Sequence, residues 1–182
     1  MGEIMTMTTE ERRQELLQLL TRADGARTGT ELAKKLGVSR QIIVGDVSIL
    51  RAEGAKILST PRGYRMLEKN PGVIETVACR HTAEEMGAEL DAMVDNGVTV
   101  RDVIVEHPVY GEIRADLMLE SRRDVAAFVR KMEAAGAPPL SQLTAGIHLH
   151  TVEAKTHEEI EDARKELARL GFLAIEKMES DA

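Results

Sequence analysis

The chain has 182 residues, 43% hydrophobic and 30% charged, with two Phe, two Tyr, no Trp and one Cys. This is the balance of an ordinary soluble protein long enough for one or two cores. So few aromatics exclude a base-stacking platform or an aromatic cage. The lone Cys79 excludes an internal disulfide framework and a Cys-rich zinc finger. No apolar run approaches the roughly 18 residues of a membrane span, and the N-terminus lacks the basic-then-apolar order of a secretion signal. The expectation is a cytoplasmic protein with no membrane partner.

The net charge of −7 is uneven. Residues 1–70 carry 12 Lys+Arg against 9 Asp+Glu, a net of +3; residues 71–182 carry 12 against 22, a net of −10. The basic half suits phosphates, and the acidic half suits a cation, a small molecule or a partner subunit.

In chain order, Thr8 and Glu11 have capping-box spacing and open a helix over 8–22 with Leu16, Leu17, Leu19 and Leu20 on its apolar face. Thr28 and Glu31 open a second, short helix around Leu32, Ala33 and Leu36, stopped by Gly37. Ser39 caps a third to about Glu53, with Ile42, Ile43, Val47 and Leu50 as inward candidates. Lys56–Ser59 and Tyr64–Leu67 around a Pro61/Gly63 turn read as a hairpin. Asn70-Pro71-Gly72 marks the domain boundary.

Beyond it come a strand at Val73–Cys79, a helix boxed by Thr82 and Glu85 and running to about Asn96, and strands at Val98–Glu106 and Glu112–Leu119. A helix from Ser121 to Ala135 follows, then a strand over roughly Ala145–Glu153, a helix from Thr156 to Leu170 and a final strand at Phe172–Glu176. The expected class is α+β: a winged helix-turn-helix over 1–70 and a two-layer α/β sandwich over 71–182, with helices on one face of its sheet.

The run Thr30–Ile43 has what two steeply crossing helices need: the small Ala33 where they touch, Gly37 for the turn and Val38 as an apolar plug. A third helix laid in the major groove presents Arg40, Gln41, Val44, Ser48 and Arg51 opposite its apolar face. Arg40 can pair with guanine and Gln41 with adenine. Lys34, Lys35, Arg62 and Arg65 read as phosphate contacts from the second helix and the wing.

All five histidines lie beyond residue 80. In His148-Leu149-His150 the two rings are two residues apart, so a strand points both to one side. His81 ends the first strand of the acidic half, and Glu85 and Glu89 climb the next helix on about the face it approaches. Three imidazoles and one carboxylate suit Zn, Ni, Fe or Co; spacing does not choose between Glu85 and Glu89. His107-Pro108-Val109-Tyr110-Gly111 reads as a turn whose imidazole and phenol can meet a small polar ligand. Cys79 reads as a small buried residue, and His157 has no assigned role. With no glycine-rich phosphate loop and no Ser-His-Asp arrangement, an enzyme is not expected.

A winged helix followed by His81, the His107–Gly111 turn and the strand Gly146-Ile147-His148-Leu149-His150-Thr151 resembles the niacin-responsive transcriptional repressors, which carry the three-histidine, or 3H, domain. The resemblance covers nearly the whole chain. It implies a homodimeric repressor of genes for NAD synthesis or niacin uptake, with nicotinic acid as co-repressor and an HPr-like fold in the second domain. It also implies a divalent ion, nickel or zinc-like, held by His81, Glu89, His148 and His150, which decides for Glu89 over Glu85. The alternative is a regulator in which the bound ion is itself the signal.

Overall fold

The computed structural model describes residues 7–67 and 72–174. The chain divides into two compact units, residues 1–69 and 70–182. The Asn70-Pro71 part of the expected boundary lies outside the described residues, as do positions 175 and 176 of the expected last strand.

In the first unit, helix α1 (Thr9–Thr21) opens on the Thr8/Glu11 box, with Glu11 N donating to Thr8 Oγ1 at 3.2 Å and Thr8 N to the Glu11 carboxylate at 2.7 Å. Helix α2 (Gly29–Leu36) repeats the arrangement and ends at Gly37, whose φ of 66° lies in the left-handed region a tight turn needs. Helix α3 (Arg40–Ala52) follows from Ser39, and strands β1 (Ile57–Thr60) and β2 (Gly63–Met66) pair antiparallel as the wing. Leu16, Leu20, Leu32, Ala33, Ile43, Val47, Leu50 and Ile57 form the core. Ile42, expected inward, is 40% exposed, because the buried stripe of α3 runs through Ile43, Asp46, Val47 and Leu50.

Asp46 is an unexpected member of that stripe. Arg12 of α1 donates to both of its oxygens, at 2.7 and 3.0 Å, and so ties α1 to α3. Removing one partner leaves the other charge half-buried and unpaired. Asp46→Ala is therefore expected to lower unfolding stability by about 2–3 kcal/mol, read from urea titration; a change inside experimental error contradicts this role.

The second unit carries a four-stranded antiparallel sheet in the order β3-β6-β4-β5, with β3 at Val73–Arg80, β4 at Thr99–His107, β5 at Gly111–Leu119 and β6 at Ile147–Ala154. A 3₁₀ turn (Ala83–Glu85) leads into helix α4 (Met86–Asp95). Helices α5 (Arg122–Ala135) and α6 (His157–Leu170) complete the helical layer, and a second 3₁₀ turn (Leu140–Thr144) precedes β6. Val77, Val100, Leu119 and Val152 of the sheet pack against Leu90 and Met93 of α4, Val125 of α5, and Ile160, Ala163 and Leu167 of α6. The opposite sheet face leaves Ile74, Ile147 and Leu149 exposed. The described part of the last segment makes only a bridge, Leu173 to Cys79, with Ala174 N donating to Ala78 O at 2.9 Å.

The fold is mixed, a helix-turn-helix unit followed by an antiparallel sheet covered by helices, as the alternation of patterns in the sequence requires.

Candidate metal centre and nucleic-acid face

Four side chains from three elements converge at one end of the β3–β6 pair. Alternation along β6 sends His148 and His150 to the helical side of the sheet, where they are 3% and 2% exposed. His81 follows the last residue of β3, and Glu89 stands one turn into α4. Nε2 of His81 lies 2.9 Å from one Glu89 oxygen; Nε2 of His148 and of His150 lie 3.1 and 3.2 Å from the other. The rings meet edge to face, with centroids 4.8 Å apart for both the His81–His148 and His148–His150 pairs.

The alternative carboxylate is occupied elsewhere. Glu85 accepts from Thr82 N at 2.8 Å and Thr82 Oγ1 at 2.9 Å, so it caps the helix start and stays exposed. One turn on, Glu89 is 1% exposed.

The other nitrogen of each ring is fixed by the backbone. Nδ1 of His81 meets Thr82 O at 2.6 Å, that of His148 meets Gly146 O at 2.8 Å and that of His150 meets Asp102 O at 2.6 Å. Two local irregularities make this possible. The β4–β5 register shifts between Val100 and Asp102, a bulge that re-aims backbone beside the site. Gly146 has φ of 89°, and a Cβ there would stand 2.7 Å from His81 O, so only glycine lets β6 begin against that residue. Neither irregularity has a signal in the hydrophobic pattern. The Asp102 side chain also braces the site, accepting from Thr151 N at 2.8 Å and Arg114 Nη1 at 2.7 Å.

In the first unit, Arg40, Gln41 and Ser48 are exposed on α3 and Val44 is half-buried. Ser48 Oγ donates to Val44 O at 3.0 Å. Arg51 donates to Ile57 O and Ser59 Oγ, both at 2.8 Å, so its guanidinium pins the wing to α3. Lys34 and Lys35 are exposed and Arg62 is half-buried. Arg65 does not stand where the sequence pattern puts it. It is only 7% exposed and lines a cleft with Thr21, Ala23, Asp24 and Gly25. The reason is that Arg27 and Tyr64 exchange both backbone hydrogen bonds at 2.8 Å, which lays the segment between α1 and α2 along β2.

Residues 12–65 match an HTH domain and residues 74–176 match the 3H domain. The chain is 44% identical over 172 residues to the probable transcription repressor NiaR of Thermotoga maritima, covering 94% of this chain and 98% of that protein. It is 40% identical over 177 residues to the transcription repressor NadR of Bacillus subtilis, covering 95% and 98%. The chain belongs to the niacin-responsive, 3H-domain repressor family. It is a transcription repressor rather than an enzyme, and its helix-turn-helix acts on operator DNA. No helix among the described residues is long and apolar enough to cross a membrane.

The chemistry of the repressor's four-residue cluster is decided by its protons. A backbone carbonyl only accepts, so each Nδ1 carries a hydrogen, and a neutral ring then aims an Nε2 lone pair at Glu89. Three lone pairs and a carboxylate meeting in a buried space repel one another. Nε2 of His81 and of His150 stand within ion-pair distance of Glu89 yet make no hydrogen bond. Three buried imidazoliums around one carboxylate would leave a net positive charge out of water. A divalent cation would take the place of protons between the Nε2 lone pairs and the carboxylate. Donors about 2.0–2.1 Å from one ion lie roughly 3.0–3.4 Å from each other, and each Nε2 stands 2.9–3.2 Å from one of the two Glu89 oxygens. Backbone carbonyls on the far ring nitrogens are the usual second support of histidine ligands. The residues present therefore fit a metal.

Without the ion, burial disfavours charge on His81 and His150, but Glu89 outweighs it and holds both pKa values above the ordinary histidine value. Burial likewise disfavours the Glu89 carboxylate; the three histidines nevertheless hold its pKa well below the usual range.

His107 and Tyr110 stack at the β4–β5 tip, ring centroids 4.9 Å apart, and His107 Nδ1 accepts from the backbone N–H of Val109 and Tyr110 at 3.2 Å each. Tyr110 is 78% exposed. The sequence pattern gives no sign that Cys79 belongs to the histidine neighbourhood. Cys79, Glu89 and His148 each offer a ligand atom within 4.8 Å of the other two. His157 reaches Glu75 at 2.5 Å, away from the cluster.

Proposed function

We propose that the repressor is a homodimer whose operator affinity is raised by nicotinic acid, and that His81, Glu89, His148 and His150 hold one divalent ion of the nickel or zinc class. The convergence of three Nε2 lone pairs and a buried carboxylate carries the metal reading. The ion supplies a fixed positive charge suited to the carboxylate of a small acid. The pairing of Ile104 with Leu149, between the two strand histidines, places His107 three residues further along β4 at the cluster's end of the sheet. By alternation His107 lies on the same face as Val103 and Val105. His107 and Tyr110 are thus suited to hydrogen-bond a polar ring nearby. The exposed Ile74, Ile147 and Leu149 give the unit an apolar face suited to a second copy. A ligand changes DNA affinity only through a difference in affinity between two arrangements, and the spacing of two winged helices in the dimer is the natural variable. Fluorescence anisotropy on a palindromic operator at fixed salt tests this. Nicotinic acid is expected to tighten binding by roughly 5–150-fold, the usual range of allosteric coupling. Equal affinity with and without it removes the co-repressor. Tightening by metal alone makes the ion the signal.

On the DNA side, Arg40, Gln41, Val44 and Ser48 would face base edges, Lys34, Lys35 and Arg62 would take phosphates, and Arg51 would fix the wing. Gly45 sits on this exposed α3 face with nothing within 4 Å of where a Cβ would stand. Glycine inside a helix costs about 0.5–1 kcal/mol against alanine, and its value here is close approach to DNA. Gly45→Ala is expected to raise thermal stability and to weaken operator binding. A variant that binds as well as the parent contradicts the assigned face. Lys34→Ala is expected to weaken specific and non-specific DNA alike and to flatten the slope of log affinity against log salt by about 0.9 for each phosphate the lysine neutralises.

A further inference from the structure

Cys79 is fully buried on β3, directly opposite His148 in the β3–β6 register. Both face the helical side, which brings the Cys79 sulfur within 4.8 Å of a Glu89 oxygen and a His148 nitrogen. Two donors on opposite sides of one ion, a nitrogen at about 2.1 Å and a sulfur at about 2.3 Å, stand roughly 4.4 Å apart. The sulfur therefore lies within reach of an ion held by the histidines. The second observation is independent of the cysteine: Nε2 of His81 and of His150 are buried, lack hydrogen-bond partners and stand 2.9 and 3.2 Å from Glu89, the carboxylate the sulfur also approaches.

Charge gives the arrangement a reason. One carboxylate against a divalent ion leaves a net positive charge in a site whose members are all at most 9% exposed, and buried unbalanced charge is costly. A thiolate cancels it. Sulfur also brings softness: a site of imidazoles and a carboxylate already binds manganese least tightly of the first-row ions, and a thiolate donor widens the gap in favour of zinc.

We propose that Cys79 is a fifth ligand of this centre and sets its preference for thiophilic ions. The inference rests on the metal reading above. The sulfur–metal bond forms as the S–H bond breaks, with the proton released to solvent and no change in oxidation state.

Co²⁺ is the probe. Full-length protein titrated with Co²⁺ is expected to show a thiolate-to-cobalt charge-transfer band in the near ultraviolet, and X-ray absorption on the Zn²⁺ form a sulfur scatterer at about 2.3 Å. Cys79→Ser is expected to keep binding Co²⁺ with N/O-type spectra, to lose the band and to lower Zn²⁺ affinity roughly tenfold or more while Mn²⁺ affinity changes little. Cys79→Ala, checked by circular dichroism, gives the same loss without a new oxygen donor. A parent protein that binds one Co²⁺ with no sulfur band and only N/O scatterers overturns the cysteine assignment and leaves the four-residue site standing. A parent protein that binds neither Co²⁺ nor Zn²⁺ overturns both.

Discussion

Stripping divalent ions from the repressor with a chelator at pH 8 is expected to lower its melting temperature steeply, and the same treatment at pH 5.5 is expected to change it little. An ion at 1,000 times its dissociation constant stabilises the fold by about 4 kcal/mol, which for a unit of this size amounts to about 15 °C. The pH dependence follows from the proton arithmetic of the cluster. In the metal-free chain the pKa values of His81 and His150 are raised and that of Glu89 is lowered. A group with a raised pKa contributes stability fully below its unfolded value and loses it as pH rises through the folded value. A group with a lowered pKa contributes above its unfolded value and loses it as pH falls through the folded one. The metal-free cluster is therefore most favourable in mild acid, above the lowered Glu89 value and below the raised histidine values, and weakens toward pH 8. The ion-bound cluster behaves in the opposite sense, because every imidazole must give up its Nε2 proton to a metal. Melting curves with and without chelator should converge as pH falls. A chelator effect equal at both pH values contradicts the proton competition, and no effect at pH 8 contradicts the ion.

The second large effect is expected from Glu89. Glu89→Gln keeps the shape and removes the charge that all three Nε2 atoms face. Loss of a partner behind a ligand already costs 10–100-fold in metal affinity by the usual measure. Loss of the central anionic ligand is expected to exceed that, roughly a thousandfold by isothermal titration at pH 7.5. Glu85→Gln touches only the Thr82 cap. Because glutamine also serves in a capping box, it should change stability little and leave metal affinity intact. Reversal of the two results would place the ion at the 3₁₀ turn before α4.

The framework is legible in the sequence because its signals are local. Capping boxes at Thr8/Glu11, Thr28/Glu31 and Thr156/Glu159 are helix starts in the structure, and Gly37 and Gly136 are left-handed helix stops. The pairing of His148 with His150 needs only the two-residue period of a strand. The choice of Glu89 is not local. Thr82 can satisfy one carboxylate near its own backbone, which removes Glu85 from contention, but only the packed helix shows that the next glutamate on that face is buried. Asp46 has no sequence signal because its partner Arg12 is 34 residues away, so periodicity records a charge on an apolar stripe without explaining it. Arg65 is misplaced by the pattern because alternation in a hairpin does not reveal that a third segment runs along β2. Cys79 has an apolar pattern like any core residue, and only the β3–β6 register sets it opposite His148.

The most direct test of the shared cation is the metal content of the chain. Protein loaded with Ni²⁺ or Zn²⁺, freed of unbound ion by gel filtration at pH 7.5 and assayed by plasma mass spectrometry should retain about one ion per chain, and Glu89→Gln and His148→Ala treated identically should retain almost none. Native protein that emerges as empty as those two variants would contradict the account.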